Sequence, residues 1–178
     1  MRNLTLAICL AAAVLLSACS ERSATERTRA LYYWSTVLDV DTVKQAFLKA
    51  HGVRRMYVRY FDVVPGDGGR PVPNATLRFK TAVPEGLEVV PTGYIVNECR
   101  AGGTGGLARK GLRRVVRMSE TNGVKGVSEV QIDCDWTRRT RPRYFGFLRT
   151  LVALAGSEGI DVSVTIRLHQ LSEAPPPV

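Results

Sequence analysis

Val127-Ser128-Glu129-Val130-Gln131-Ile132-Asp133-Cys134-Asp135-Trp136 alternates without a break. Val130, Ile132, Cys134 and Trp136 fall on one side; Glu129, Gln131, Asp133 and Asp135 fall on the other. Period two predicts a β-strand with an apolar face and an acidic face. Asp133 and Asp135, two residues apart on one face, have Cα atoms about 6.6 Å apart. A helix is predicted to follow directly, from Pro142, a residue that suits the first helical turn. The two acids then lie near the carboxyl end of a strand inside a β/α unit, the end at which such sheets place their chemistry.

Working outward, the same reading yields a regular alternation of elements. Ala30–Trp34 reads as a first strand. A helix follows, capped by Asp39 or Asp41, with Val43, Ala46, Phe47 and Ala50 as its apolar stripe and Gly52 as its stop. Arg54–Val64 reads as a second strand, with Tyr57, Arg59 and Phe61 on one face and Met56, Val58, Tyr60 and Asp62 on the other. Pro65–Asn74 is predicted as a loop, Ala75–Lys80 as a short edge strand and Pro84–Pro91 as a connection. Thr92–Cys99 is the third core strand. Thr104, amid Gly102, Gly103, Gly105 and Gly106, is a candidate helix cap, and the run lacks the Gly-Lys-Ser/Thr ending of a phosphate loop. Ala108, Leu112, Val115 and Val116 mark the next helix, which stops near Asn122-Gly123. After the acidic strand, Tyr144, Leu148, Leu151, Val152 and Ala155 mark a third helix. Ile160–Leu168 is the last strand, its Asp161, Ser163, Thr165, Arg167 and His169 opposed to apolar residues.

Strands alternating with helices predict a parallel sheet with right-handed crossovers. One face of each of the last two strands is polar throughout. Doubly wound sheets cover both faces and read as continuous apolar runs, so a polar face points instead to a (β/α) barrel lumen lined by charges. The expected fold class is α/β: a partial (β/α) barrel of about four or five mostly parallel core strands with helices on the outer face. A full barrel has eight strands.

The amino terminus is of another kind. Arg2 precedes the apolar run Leu4–Leu16, and Leu16-Ser17-Ala18-Cys19 follows. This resembles a bacterial lipoprotein signal peptide, which implies cleavage after Ala18 and lipidation of Cys19. The run is too short for a typical membrane span. The expected organisation is a signal peptide over 1–18, a tether over 19–29, a barrel domain over 30–171 and a Pro-rich tail over 172–178. Ser20 after the lipid-bearing cysteine favours outer-membrane delivery. The formal charge is +9, or +8 without Arg2, which suits polyanions of the envelope or solubility alone, with no nucleic acid expected. Cys99 and Cys134 remain as two buried thiols or a disulfide. His51 and His169 have no partners at metal-ligand spacing, so neither metal nor cofactor is expected.

Tyr32-Tyr33-Trp34-Ser35-Thr36, residues 57–64, Ile132–Thr137 and Ile166–Leu171 resemble an uncharacterised lipoprotein family of Bacteroides-type bacteria. More distantly, they resemble glycoside-hydrolase-like (β/α) barrels. The resemblance covers about residues 30–178. It implies that the family members are longer and that this chain matches their amino-terminal half.

Three functions follow as expectations. The first is a carbohydrate-active enzyme, or half of one, using Asp133, Asp135 and Glu98 as its carboxyl groups. Trp136 and the basic run Arg138, Arg139, Arg141 and Arg143 would rim its ligand site, with the arginines favouring anionic groups or holding Asp135 ionised. The second is a noncatalytic envelope protein that binds glycan or a partner protein, with Tyr33, Trp34, Tyr60, Phe61 and Trp136 as candidate sugar-stacking aromatics. The third is a truncated product without activity. In each case Arg59 and Arg167 are expected within ion-pair reach of Asp133 or Asp135, because neighbouring acids repel unless cations lie beside them.

Overall fold

Five parallel strands stand side by side in chain order in a computed structural model that describes residues 28–99, 104–173 and 175–178. They are β1 (Arg29–Tyr33), β3 (Val53–Pro65), β6 (Glu88–Ile95), β7 (Glu129–Cys134) and β8 (Asp161–Val164). Each connection moves one place in the same direction, so the helices gather on one face of the sheet. A doubly wound sheet would instead reverse its strand order at a switch point. Helix α1 (Thr42–Ala50) joins β1 to β3, α2 (Thr104–Thr121) joins β6 to β7, and α3 (Arg141–Gly156) joins β7 to β8. The fold is therefore α/β, with the mostly parallel, singly wound sheet of a partial barrel.

The β3–β6 connection carries strands rather than a helix. β4 (Pro71–Asn74) pairs antiparallel with residues 62–65 of β3, on the edge that β1 pairs lower down. β5 (Arg78–Phe79) pairs with β2 (Val37–Leu38) in a small second sheet. The segment expected as a loop thus contains β4 despite Pro71 and Pro73. An edge strand tolerates proline because its outward N–H groups need no partner. The third core strand begins at Glu88, inside the segment that the sequence predicts as a connection, and runs through Pro91. β7 pairs with β6 only from Thr92 onward, so at Pro91 one flank carries no ladder for a missing N–H to interrupt.

A register shift between Arg59 and Phe61 corrects the predicted faces of β3. The bulge inserts one residue, and the parity beyond it is reversed. Met56, Val58 and Tyr60 lie under the helices, and so do Phe61 and Val63. Asp62 joins Arg55, Tyr57 and Arg59 on the opposite face.

Local signals set the helix ends. Asp41 caps α1 by accepting from the Lys44 amide at 2.9 Å, and Gly52 follows its end with a φ of +61°, a conformation that suits glycine. The buried residue of α1 is Leu48, whereas the expected stripe is exposed at Val43 and Phe47. Helical spacing cannot tell which of two apolar stripes a sheet will cover. Leu48→Ala is expected to cost about 2 kcal/mol, the low end for a buried leucine, whereas Phe47→Ala should stay near 0.5 kcal/mol. Urea unfolding of the two variants separates these outcomes.

The last strand stops at Val164, short of the predicted Leu168. The Thr165 amide still reaches the Ile132 carbonyl at 3.1 Å, and the chain then turns through Leu168–Gln170. Buried Gln170 fastens this turn, donating to the Trp136 carbonyl at 2.8 Å and accepting from the Arg167 amide at 2.9 Å. Glu173, in the segment read as a tail, is also held in place. Residues 1–27, with the candidate lipobox, lie outside the described residues. Among those described, no helix is long and apolar enough to cross a membrane.

Candidate functional site

Among the described residues no helix covers the other face of the sheet, and most of its side chains are polar. At the amino-terminal end of the strands, Arg55 on β3 makes a two-pronged contact with Glu88 on β6, at 2.8 and 3.0 Å. It also reaches Glu129 on β7 at 3.1 Å. Glu129 accepts from Ser163 on β8, and Gln131 donates to the same serine at 3.2 Å. Tyr32 on β1 donates to Gln131 at 2.8 Å, passing over β3 and β6. That reach fits a sheet curled toward this face, as in a barrel segment.

At the carboxyl-terminal end, register places Asp62, Tyr94 and Asp133 side by side on β3, β6 and β7. Asp133 is buried and accepts from the Thr165 hydroxyl at 2.5 Å. Arg167 binds Asp135 through Nε and stands 3.8 Å from Asp133. One guanidinium thus serves both acids, which keeps two neighbouring carboxylates from facing each other unscreened. The side chains of Asp135 and Arg167 are about half exposed. Burial raises the Tyr94 pKa above its ordinary value, and the charges of Asp135 and Asp133 raise it further.

Arg167 therefore stands where the alternation of the last two strands expected it. Arg59 does not. It pairs with Asp62 on its own strand and lies over the Trp34 ring, 5.8 Å from the centroid. The β3 bulge brings Asp62 onto the Arg59 face, and this nearer acid takes the cation. Glu98 is exposed in the turn after β6, off the uncovered face, and its charge acts on the Cys99 and Cys134 thiols.

Trp136 is not at a ligand rim. It is 1 % exposed on the helix-covered face, 5.4 Å from the Phe145 ring centroid and 6.4 Å from that of Tyr144. The basic run is also divided. Arg138 and Arg141 both bind Glu173, at 2.9 and 2.6 Å. Arg143 donates to the Cys99 carbonyl at 3.4 Å. Arg139 is exposed, and the cation that serves Asp135 is Arg167.

The aromatic set changes as well. Tyr60 and Phe61 are core residues, and the Tyr33 hydroxyl donates to the Val37 carbonyl at 2.8 Å. Besides Tyr94, the aromatics on the uncovered face are Tyr32, Tyr57 and Trp34. Tyr32 stacks on Tyr57 at 4.9 Å and on Trp34 at 6.1 Å, and both Tyr32 and Trp34 are exposed. Sequence reasoning named Trp34 but missed Tyr32, although period two along β1 puts both on one face. It also missed Arg55, Glu88 and Tyr94. The proline at 91 had hidden the first half of β6, and Glu88 with it.

Cys99 and Cys134 are free, buried and line one small cavity beneath α3. Burial pushes the Cys134 thiol up to about 12, helped by Asp135 and Asp133. A thiol in that state is a poor nucleophile. Iodoacetamide at pH 8 is expected to label Cys134 slowly in the folded protein and fast in urea; equal rates would place the thiol at the surface. Because the folded state holds this proton more tightly than the unfolded one, the associated stability is complete below about pH 9. It is lost as pH rises from there through about 12.

Among the described residues, no group of three or more His, Cys, Asp and Glu side chains is arranged to hold a metal ion. Compared with protein-family models, curated proteins and solved structures, the chain matches none.

Proposed function

We propose that the uncovered face binds carbohydrate. The observation that carries this reading is the Tyr57–Tyr32–Trp34 row, exposed at Tyr32 and Trp34, beside the Arg59–Asp62 pair and the Asp133–Asp135–Arg167 group. Flat aromatic rings offer a surface for the C–H faces of sugar rings. Carboxylates and guanidinium groups at the edge of such a platform supply acceptors and donors for hydroxyl groups. Tryptophan fluorescence gives the test, because Trp34 is exposed and Trp136 is buried. Titration with a panel of neutral and uronate-containing oligosaccharides should change the emission. Trp34→Ala and Tyr32→Ala should each weaken binding at least tenfold. Unaltered affinity in both variants would end this reading.

Hydrolysis is the second reading, favoured by the position of Asp133 and Asp135 at the carboxyl end of β7. A glycosidase needs one carboxyl group protonated while the other is charged. Asp135 is bound by Arg167, and Asp133 accepts from Thr165 with Arg167 3.8 Å away, so both acids already have partners in the fold, which supports binding over catalysis. Release of reducing sugar that is abolished by both Asp133→Asn and Asp135→Asn would reverse this preference.

The place of action is proposed from the leader: a lipid anchor on Cys19 in the cell envelope, at the outer membrane. Cys19→Ala is expected to abolish acyl labelling and move the protein from the membrane fraction to the soluble one. Unchanged labelling would refute the anchor.

A further inference from the structure

Helix α2 is strongly basic along one side. Lys110, Arg113, Arg114 and Arg117 recur at i, i+3, i+4 and i+7, Arg109 adds a fifth cation, and Glu120 is the helix's one acid. Ala108, Leu112 and Val115 hold the opposite side in the core. Between this helix and β4, on the helix-covered side of the sheet, runs a groove of about 550 Å³. Volumes of this order hold small ligands.

The lining of the groove has two characters. Arg70, Lys110 and Arg114 supply three cations, and no acid lines it among the described residues. Val72, Pro73 and Leu107 supply an accessible apolar surface between them, over a floor of buried Phe61 and Val63. Arg114 is already positioned. Its guanidinium lies 5.2 Å from the Phe61 ring centroid, and one Nη donates to the Thr76 hydroxyl at 2.8 Å. Its Nε is buried with no acceptor among the described residues, so the donor capacity of this group is not met by the protein around it. On the same wall, a Cβ added at Gly106 or Gly111 would meet nothing within 4 Å.

Cations gathered without counter-charges select an anion, and a guanidinium fork suits the oxygens of phosphate. An apolar surface beside them has no use for inorganic phosphate but fits a hydrocarbon body. We propose that this groove binds a phosphate-bearing amphiphile, its head among Arg70, Lys110 and Arg114 and its apolar body along Val72, Pro73 and Leu107. This site is separate from the carbohydrate-binding face, which lies on the other side of the sheet, and stands whether or not that reading survives.

The purified full chain tests it by calorimetric titration. The probes are dihexanoyl phosphatidylglycerol below its micelle concentration, dihexanoyl phosphatidylcholine and inorganic phosphate. The phosphatidylglycerol should bind at least tenfold more tightly than either of the others. The double variant Arg70→Gln/Lys110→Gln should lose at least tenfold in affinity by removing charge. Gly111→Leu should lose as much by filling the groove; leucine is a better helix residue than glycine, so its melting temperature should not fall. Cosedimentation with vesicles of phosphatidylglycerol and phosphatidylcholine then separates sources. Parallel losses in the soluble and vesicle arms support a membrane lipid as ligand, whereas loss in the soluble arm alone supports a soluble phosphate compound. The proposal is overturned if phosphatidylglycerol does not bind, if phosphatidylcholine or inorganic phosphate binds equally well, or if Gly111→Leu binds like the wild type. Vesicle binding without binding of the soluble lipid would be adsorption by net charge, and also overturns it.

Discussion

Trp136→Ala is expected to lower the unfolding free energy by about 3–5 kcal/mol, the range for truncating a buried aromatic. The ring is sealed under α3 against Phe145 and near Tyr144. Its loss leaves a cavity that its two aromatic neighbours cannot readily collapse into: Tyr144 and Phe145 are adjacent on one helix and buried. Its backbone carbonyl also anchors Gln170, so loosening here reaches the turn that presents Arg167. Trp136→Phe should recover most of the stability, because the indole N–H has no acceptor among the described residues to be lost. Urea denaturation followed by circular dichroism measures both. A cost below 1 kcal/mol for the alanine variant, together with weakened ligand binding, would restore Trp136 to a ligand rim.

Arg55→Met should cost about 3 kcal/mol. Breaking a buried ion pair from one side costs about 3–5 kcal/mol, since the remaining charge loses its partner inside the protein. The low end applies because Arg55 and Glu88 keep about a third of their side-chain surface exposed and are partly screened by solvent (29 % and 31 %). Glu129, at 15 %, is the more enclosed of the two acids left behind. Glu88→Gln added to Arg55→Met should therefore restore part of the loss, since it relieves one of two acids deprived of their cation. A double-mutant cycle reads the coupling directly. Additive costs would show that Arg55 contributes through packing of its hydrocarbon stem. Arg59→Met should cost at least as much, about 3 kcal/mol, because it leaves Asp62, whose side chain is 9 % exposed, without its cation.

The candidate site was legible in part. Strict alternation identified Glu129, Gln131, Asp133 and Asp135 as one face and Ser163, Thr165 and Arg167 as its neighbour. The Arg167 contacts with both acids follow from that parity and from the adjacency of β7 and β8. Arg59 was assigned to the wrong acid because its own acid, Asp62, changes face at the bulge. Nothing in Arg54–Val64 marks the extra residue; it is tolerated where β3 leaves one neighbour and takes another. The arginines after β7 read as one cluster because they are adjacent in sequence. Glu173, more than thirty residues later, divides them.

By itself the sequence determined the elements whose signals are local: the β7 alternation, the Asp41 cap, the glycine stops after α1 and α2, the apolar stripes of α2 and α3, and an α/β order in which every core strand runs the same way. These depend on spacing and backbone conformation within a few residues. Only the tertiary structure decided which face of α1 is covered, how β4 and Pro91 fit a sheet, where β3 changes parity, and which distant acids meet which arginines. Each of these is a choice between local options of similar free energy, settled by what lies on the other side. Curling the sheet brings Tyr32 to Gln131 over two strands, and no periodicity along either strand encodes that meeting.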